Sequence, residues 1–356
     1  MKICFDVLHL YYLTQFLPVF RALVERGVDC RFCFYLDAEM QRTLDQVIEH
    51  EALAVVWVES QEQAASYYRE QGFDWVIFGN AFEHLSELPA QTRTAQLYHG
   101  IGMKSDVYSP GLMEMDIRFI EGPHYTRTLQ ELYPGRALLE VGYAKLDPLF
   151  GPTEQRPRLD LAALGLDAAK STILYAPTFY PSSIECMADD WPTQFTEFNL
   201  IVKPHFFTWS KSRYHKQRRK LALWARANNV HVPDPHVFNL LPFMGTADLM
   251  ISDASSALFE FAALDKPVIW CDFLKLRWSY RGPLAYRLTR RMDATIDQYR
   301  DICAHAGSYE ELKMRVRAQL DNPGEFSAKR QAYTQRLIGK TDGKVSQRIA
   351  DYLLQR

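Results

Sequence analysis

Short apolar runs alternate along the chain with segments whose apolar residues recur at helical spacing. Residues 2–8 form the first apolar run, residues 14–26 carry the helical spacing, and Gly27 follows as a helix stop before a second run at 30–36. The alternation continues with predicted helices at about 38–50, 61–71 and 123–132 and predicted strands at 53–58, 74–78, 94–98 and 137–141. Strand, helix and strand in succession predict a parallel sheet with helices on both faces.

A polar, proline-bearing stretch over 150–160 interrupts the pattern, and we interpret it as a linker. The alternation then restarts, with predicted strands at 172–176, 198–203, 230–232, 248–252 and 267–271 and predicted helices at 211–228 and 255–263. Only helical patterns remain over 308–356. We therefore predict two Rossmann-like parallel-sheet domains, 1–150 and 151–325, that face a central cleft. We also predict C-terminal helices at 326–356, and in one arrangement these helices pack back on the N-terminal domain.

Composition limits the classes of function. The 356 residues are 47% hydrophobic and carry a formal net charge of −2. This length suggests two domains, and the near-neutral charge argues against a protein that coats nucleic acid, so we expect no nucleic-acid partner. No apolar run reaches the roughly 18 residues of a membrane span, and polar residues interrupt the apolar N-terminus. The expected location is the cytoplasm.

The cysteines predict a reducing environment rather than a metal site. Cys4, Cys30, Cys33 and Cys271 lie in apolar, strand-like segments, and we interpret them as buried thiols. Cys30 and Cys33 have the spacing of metal ligands, but a zinc site needs four ligands and the chain offers no second pair. We therefore predict neither a metal nor a cofactor.

The stretch 248–270 carries the strongest chemical signal. It is typical of a strand, a polar turn, a short helix and a second strand. The turn places the hydroxyls of Ser255 and Ser256 beside the free backbone N–H groups of a helix start, which is an arrangement that binds anions. Glu260 follows one to two helical turns later, where a carboxylate can meet a ribose hydroxyl. This geometry can bind a nucleotide diphosphate.

Two histidines also follow predicted strands, where ligands of such sheets bind. His99 precedes Gly100, and an imidazole at a strand end can act as a general base near neutral pH. The alternative is a loop histidine beside a glycine turn. Lys203 and His205 offer two potential cations for a phosphate, and the alternative is a capped strand with solvated polar residues. Thr178 is a weaker candidate at a third strand end.

Two further features each allow two interpretations. His9 follows the first strand among aromatic residues, and we favour a core or cleft-wall histidine over a catalytic one. A basic run, Lys211–Lys220, lies on a predicted helix. A solvated helix face is the simpler interpretation, and contact with anionic lipid or a polyphosphate acceptor is the alternative.

Several of these pieces, taken in order, resemble one family. They are His99-Gly100 with Lys104, the stretch from Val141 to Asp147, Tyr175 to Thr178, Lys203-Pro204-His205, and Ser252 to Ser256 with Asp265-Lys266-Pro267. The chain resembles the CDP-glycerol glycerophosphotransferases, which are teichoic-acid-type polyol-phosphate transferases with GT-B-like catalytic domains. The resemblance covers about 99–270, and the N-terminal 90 residues contribute no motif to it.

The resemblance implies roles for the candidate residues. His99 and His205 correspond to the two functional histidines of the family, and Glu260 falls where a ribose-binding acid often stands. The donor phosphates and the substrate are expected at Gly100, Lys104, Thr178, Lys203, Asp253, Ser255 and Ser256. The implied reaction transfers a polyol phosphate from a CDP-alcohol to a hydroxyl of a cell-surface glycan or lipid-linked acceptor, and it releases CMP. Such an acceptor implies work at the inner face of the cell membrane.

Two departures from the family pattern bear on donor and acceptor. The family usually has His-Gly-Thr-Pro-Leu-Lys, whereas this chain has Ile101, Gly102 and Met103 between Gly100 and Lys104. The family usually has Arg-Pro-His, whereas this chain has Lys203, a point charge that cannot hold a phosphate in two-pronged fashion. Two alternatives therefore stay open: a GT-B sugar transferase or related enzyme that uses a UDP- or GDP-sugar, and a binding protein without chemistry.

Overall fold

The computed structural model describes residues 1–101, 105–276, 278–286 and 296–355. The chain divides into two compact units. The first contains Met1–Gly100, Ser105–Gln155 and the residues from Gln335 onward, and the second contains Ile101 and the described residues between Arg156 and Thr334. Each unit is built on its own parallel sheet.

The first unit has a seven-stranded sheet. Its strands are β1 (Lys2–Val7), β2 (Asp29–Tyr35), β3 (Val55–Val58), β4 (Trp75–Phe78), β5 (Arg93–Leu97), β6 (Ile117–Ile120) and β7 (Leu138–Glu140), in the spatial order β3-β2-β1-β4-β5-β6-β7. All neighbouring strands run parallel. The order reverses between β1 and β4, and such a reversal opens a crevice at the carboxyl ends of the strands.

Helices connect these strands, and local sequence sets their ends. They are α1 (Leu13–Val24), α2 (Gln41–His50), α3 (Gln61–Gln71), α4 (Pro123–Leu132) and α5 (Asp147–Phe150). The side chain of Ser60 accepts a hydrogen bond from the backbone N–H of Gln63 and starts α3, and Gly72 ends it in the left-handed conformation. Tyr68 of α3 packs into a buried cluster with Cys33 of β2.

The second unit has a six-stranded sheet. Its strands are β8 (Thr172–Ala176), β9 (Asn199–Val202), β10 (Val230–His231), β11 (Leu249–Ser252), β12 (Val268–Cys271) and β13 (Ala304–Ala306), in the order β10-β9-β8-β11-β12-β13. The order reverses between β8 and β11, and the described neighbours are again parallel. The helices are α6 (Phe207–Ser210), α7 (His215–Trp224), α8 (Leu241–Thr246), α9 (Ser256–Ala262), α10 (Tyr309–Asp321), α11 (Ser327–Leu337) and, in the first unit, α12 (Val345–Leu354).

The prediction of two parallel-sheet α/β units is confirmed, with local differences. Two strands were not predicted, β6 and β13. The helix predicted at 211–228 is shorter, because Lys211 is extended, Ser212–Tyr214 form a single 3-10 turn, and α7 begins only at His215. Each difference lies where a charged residue or a short element weakens the hydrophobic pattern.

A buried carboxylate attaches α12 to the first unit. Asp147 accepts hydrogen bonds from the backbone N–H of Val345 at 3.1 Å and from the backbone N–H and the hydroxyl of Ser346, both at 2.6 Å. Gly142 permits this approach, since it has φ +106 and an added Cβ would lie 2.6 Å from a methyl group of Val345. The stretch from Val141 to Asp147, which contributes to the family resemblance, thus has a structural role.

Replacing Asp147 with Asn tests this attachment. The amide keeps one acceptor oxygen but turns an NH2 group toward backbone donors, so we expect a loss of about 1–3 kcal/mol in the free energy of unfolding. Urea titration followed by circular dichroism measures it. Ser346→Ala is the matched control, because it removes only the hydroxyl donor and should cost less. Equal stability of Asp147→Asn and the wild type would contradict the role of the carboxylate.

Candidate active site

The candidate residues follow the carboxyl ends of strands in both units. In the first unit, Gly79 directly follows β4, and His9 and His99 each stand two positions after the end of a strand, β1 and β5 respectively. In the second unit, Thr178 and Asp253 follow β8 and β11, the two strands at the reversal of the strand order. Lys203 follows β9, the neighbour of β8. The parallel pairing therefore groups each set at one edge of its sheet.

Three tyrosine rings surround His99, which is half-buried. The ring centroids of Tyr11, Tyr12 and Tyr98 lie 4.7, 4.5 and 4.6 Å from the imidazole centroid. The phenol of Tyr143 donates a hydrogen bond to the backbone carbonyl of His99 at 2.9 Å. Ring contacts and this backbone bond together fix the position of the histidine.

The hydrogen bond of the imidazole defines its tautomer. Nδ1 of His99 lies 3.4 Å from the backbone carbonyl oxygen of Gly79. A carbonyl can only accept, so this contact favours the neutral tautomer with the proton on Nδ1 and the lone pair on Nε2. This is the form in which an imidazole can take a proton through Nε2.

Packing against Tyr12 requires a glycine at position 79. A Cβ at this position would lie 2.7 Å from Cδ2 and 2.8 Å from Cγ of Tyr12, closer than real side chains approach. The missing side chain lets Tyr12 pack over the strand end and contact His99. Gly100, by contrast, has room for a methyl group, since the nearest atom to an added Cβ is Cε1 of Tyr98 at 3.6 Å. Lys104 lies outside the described residues.

Lys203 is a buried cation. The residue is 8% exposed, and burial lowers the pKa of its ammonium from 10.5 to about 8. Within the described parts of the chain, no carboxylate lies within ion-pair distance of this ammonium. A buried charge of this kind is costly until an anion binds beside it.

His205 has the opposite tautomer to His99. The backbone N–H of Phe207 donates to Nδ1 of His205 at 3.2 Å, so this nitrogen carries the lone pair. The proton of the neutral ring then lies on Nε2, which can donate a hydrogen bond. Phe179, Phe206 and Phe207 surround the imidazole, with ring centroids at 4.8, 4.4 and 5.0 Å.

Asp253 anchors the loop that follows β8. Its carboxylate accepts from the backbone N–H of Thr178 at 3.0 Å, from the hydroxyl of Ser182 at 3.0 Å and from the backbone N–H of Ser183 at 3.1 Å. Burial raises the pKa of Asp253 to about 6, although these hydrogen bonds oppose the shift. Asp253 therefore positions Thr178, and a direct substrate contact stays a prediction.

The turn before α9 has the predicted form. Ser255 is the N-cap of α9, and its hydroxyl oxygen accepts a hydrogen bond from the backbone N–H of Ala257 at 3.3 Å. Ser255 and Ser256 are half-buried at the carboxyl end of β11. Glu260 is 1% exposed in the middle of α9. The serines are thus accessible to a ligand, and the ribose role of Glu260 stays a prediction.

The Asp265-Lys266 part of the family resemblance stabilises the fold. Asp265 accepts from Nε of the buried Arg330 at 2.9 Å, and it holds φ +54. The ammonium of Lys266 donates to the carbonyl oxygens of Met244, Gly245 and Ala247, at the end of α8. A cation at this position satisfies carbonyl groups that the helix leaves without partners.

Some cations of the basic run Lys211–Lys220 donate hydrogen bonds to the fold, and others are exposed to solvent. Arg218 donates to the carbonyl oxygens of Thr208 and Lys211, and Lys220 donates to that of Ile184. The exposed cations of the run are Arg213, Lys216 and Arg219. No described helix is both long and apolar enough to cross a bilayer.

Sequence reasoning missed two buried ionisable residues near Tyr98, Arg118 and Glu121. Arg118, the second residue of β6, is 1% exposed, and Glu121, which directly follows β6, is 2% exposed. Burial raises the pKa of Glu121 to about 7, against the opposing effects of the Arg118 charge and of a hydrogen bond from the backbone of Glu121 itself. The guanidinium of Arg118 lies 5.9 Å from the ring centroid of Tyr98. In the sequence, the only indication of this buried pair is an arginine within a short apolar run.

Two parallel-sheet units with histidines and a buried lysine after their strands define a GT-B-like α/β protein. A sequence profile of the family described as CDP-Glycerol:Poly(glycerophosphate) glycerophosphotransferase matches residues 53–355. The chain belongs to this family, and the resemblance inferred from the motifs is confirmed.

Individual relatives are distant. The teichoic acid glycerol-phosphate primase of Bacillus subtilis is 24% identical over 219 residues, which are 61% of this chain and 51% of that protein. The teichoic acid ribitol-phosphate primase of Bacillus spizizenii is 23% identical over 246 residues, 65% of this chain and 56% of that protein. The chain thus spans about half the length of the curated relatives it matches.

Solved structures share the fold. The wall teichoic acid polymerase TagF superimposes with a TM-score of 0.70 at 17% identity and covers 99% of this chain and 88% of its own. A putative UDP-N-acetylglucosamine 2-epimerase from Listeria monocytogenes has a TM-score of 0.64 at 14% identity and covers 99% and 96%. These similarities confirm the predicted GT-B-like pair of Rossmann-like units.

The buried Glu121 predicts a dependence of stability on pH. Its pKa is raised from 4.5 to about 7 by burial, so the stability that its protonated form contributes is fully present below pH 4.5 and is lost as pH rises through 7. The glutamine of Glu121→Gln stays neutral. We expect the variant to gain up to about 3 kcal/mol over the wild type at pH 8 and little at pH 4.5.

Urea unfolding at several pH values measures this difference. The exposed Glu131→Gln is the matched control and should change stability little at any pH. A difference between Glu121→Gln and the wild type that does not vary with pH would contradict the raised pKa.

Proposed function

We propose that the protein transfers a polyol phosphate, glycerol phosphate in the first instance, from a CDP-alcohol to a hydroxyl of a cell-surface glycan or lipid-linked acceptor. CMP is the other product. Membership of the family supports the donor class, since the family is described by CDP-glycerol and glycerol phosphate. The relatives named as glycerol-phosphate and ribitol-phosphate primases support transfer to an acceptor.

The observation that carries the proposal is the opposite hydrogen bonding of the two histidines. Nδ1 of His99 faces the carbonyl of Gly79, which favours a proton on Nδ1 and a basic lone pair on Nε2. His205 accepts at Nδ1 from Phe207 and so presents an N–H at Nε2. A base and a donor are the two roles that phosphoryl transfer between oxygens requires.

The proposed reaction is a direct displacement at phosphorus. Nε2 of His99 takes the proton of the acceptor hydroxyl as its oxygen attacks the phosphorus that bears the glycerol. The bond between that phosphorus and the bridging oxygen breaks, and its electron pair leaves with CMP. His205 and the ammonium of Lys203 stabilise the negative charge that develops on the departing phosphate.

The remaining residues would bind the donor. Ser255, Ser256 and backbone N–H groups of the turn would contact the phosphates. Thr178, positioned by Asp253, would line the same edge. Glu260 would orient the ribose. Gly100 and Lys104 would serve the acceptor side through the segment that follows His99.

Contact with a membrane surface belongs to the same proposal. The exposed Arg213, Lys216 and Arg219 would meet anionic lipid or the phosphates of a polymer, at the inner face of the cell membrane. Arg218 and Lys220 donate to backbone carbonyls of the fold, which leaves fewer cations for such contact than the sequence suggests.

Ligand-induced stabilisation tests the donor class. Melting temperatures with CMP, CDP, CDP-glycerol, UDP and GDP rank the nucleotides, because a ligand that binds only the folded state raises stability in proportion to occupancy. We expect cytidine nucleotides to stabilise most. A preference for UDP or GDP would contradict the CDP-alcohol proposal and favour a sugar-nucleotide enzyme instead.

Replacement of His99 with Ala tests the chemistry. We expect release of CMP from CDP-glycerol in the presence of acceptor to fall about 10²–10⁴-fold, with nucleotide binding retained, since general-base catalysis contributes this much. His50→Ala, an exposed histidine at the end of α2, is the matched control. Lost nucleotide binding with normal residual turnover in His99→Ala would contradict the assigned role.

Lys203 predicts a pH dependence of donor affinity. Burial lowers its pKa to about 8, so the unbound protein loses this charge as pH rises through 8. We expect the wild type to lose affinity for CDP-glycerol about tenfold between pH 7 and pH 9, and Lys203→Arg to keep its affinity, because a guanidinium stays charged. Lys216→Arg is the surface control. Parallel pH profiles of Lys203→Arg and wild type, measured by calorimetry, would contradict the prediction.

A further inference from the structure

We propose that the outer edge of the first sheet binds an extended basic segment of another protein, which pairs with β3 and lies against α3. The inference is independent of the proposed function, because β3 lies four positions from β5, the strand that precedes His99, in the spatial order of the sheet. The edge combines a strand that has one neighbour in the described chain, an open cavity and two acidic side chains.

The backbone of β3 offers hydrogen-bonding groups on its outer side. β3 ends the sheet, and β2 is its one neighbouring strand in the described chain. The backbone N–H of Phe32 in β2 donates to the carbonyl oxygen of Ala54 at 2.9 Å. Because successive residues of a strand direct their backbone groups to opposite sides, those of Val55 and Trp57 face away from β2. An edge of this kind can pair with a further strand.

An open cavity of about 380 Å³ lies between β3 and α3. Its volume falls within the roughly 300–1,000 Å³ of clefts that hold a ligand. Both elements line it, and the side chains used below are those of Val56, Val58, Glu62, Ser66, Tyr67 and Glu70. A groove between an edge strand and a helix is a known place for an added peptide strand, because the strand supplies hydrogen bonds and the helix contacts alternate side chains.

Glu62 and Glu70 give this cavity a negative charge. Both are exposed, and neither forms an ion pair with another described residue. The arginines of the two adjacent elements, Arg69 of α3 and Arg31 of β2, instead pair with other carboxylates at 2.7 and 3.1 Å. Complementary charge selects partners at an interface, so the cavity favours a cationic segment over a neutral or acidic one.

The spacing of the two glutamates defines the pattern of the partner. Glu62 and Glu70 are eight positions apart, which is about 12 Å along α3 at a rise of about 1.5 Å per residue. An extended segment rises about 3.3 Å per residue and directs alternate side chains to one face. Cations four residues apart therefore match the two carboxylates. The residue midway between them faces Val56 and Tyr67, which are half-buried, so the expected pattern is basic-x-apolar-x-basic.

Fluorescence anisotropy with the full chain tests the pattern. The probes are three labelled peptides of the form Thr-Arg-Thr-X-Thr-Arg-Thr, in which X is Val, Leu or Tyr, and their counterparts with Glu in place of Arg. We expect at least one basic peptide to bind, and its acidic counterpart to bind at least about tenfold more weakly. Absence of binding by all three basic peptides at about 1 mM, or equal binding of the acidic counterparts, would overturn the proposal.

Paired substitutions locate the binding. The double variant Glu62→Gln/Glu70→Gln should bind the basic peptide about three- to tenfold more weakly, since it removes two exposed charge pairs. Glu25→Gln/Glu49→Gln is the matched control, because it changes the net charge equally at two exposed positions outside the cavity. It should bind as the wild type does. Equal affinity of the two double variants would contradict a site between β3 and α3.

Hydrogen exchange tests the pairing with the strand. Mass spectrometry should show slower exchange of the amides over residues 55–58 when the basic peptide is saturating, because the N–H groups of Val55 and Trp57 gain acceptors. Unchanged exchange there would rule out strand pairing. Sedimentation velocity without peptide identifies the other occupant, a second copy of the chain. We expect a monomer, and a dimer that Glu62→Gln/Glu70→Gln dissociates would assign the edge to self-association and overturn the peptide partner.

Discussion

Parallel pairing of strands is the constraint on which the candidate site depends. A parallel ladder brings the carboxyl ends of all its strands to one edge, and a reversal of strand order opens that edge to a ligand. The pairs β1–β4 and β8–β11 create this opening in the two sheets. His99 and Tyr11 lie 88 positions apart in the sequence, yet their rings are 4.7 Å apart because β1 and β5 are separated only by β4.

Buried carboxylates then hold the loops that leave this edge. Asp253 gathers three donors from the loop after β8, and Asp147 gathers three from the start of α12. Burial of a carboxylate is costly, and only multiple hydrogen bonds in good geometry offset that cost. Residues that a family shares can thus be shared for loop position rather than for contact with substrate, as Asp265 and Lys266 also show.

Much of the fold follows from the hydrophobic pattern, and the exceptions have physical causes. The strand Ile117–Ile120 escaped prediction because Arg118 interrupts it. The buried guanidinium of Arg118 donates to the carbonyl of Val107 and to the sulfur of Met113. The strand Ala304–Ala306 is too short to show a period. Neither strand could be predicted from local sequence, because both depend on tertiary contacts.

The candidate site likewise has features that the sequence predicts and features that it does not. The sequence predicts that His99 and His205 follow strands, because that depends on local pattern. It cannot assign their tautomers, which depend on the carbonyl of Gly79 and the N–H of Phe207. The tyrosines around His99 also escaped prediction, since their contact requires Gly79 to lack a side chain beside Tyr12.

The two departures from the family pattern lie beside the two candidate histidines. After His99, Ile101 and Gly102 stand where the family usually has threonine and proline, and the rings of Tyr11 and Tyr12, which precede the matched region, contact His99. In the second unit, a buried lysine replaces arginine and keeps the charge without the two-pronged geometry. In the proposed reaction, the charge that binds the donor therefore depends on a single titratable group, the ammonium of Lys203.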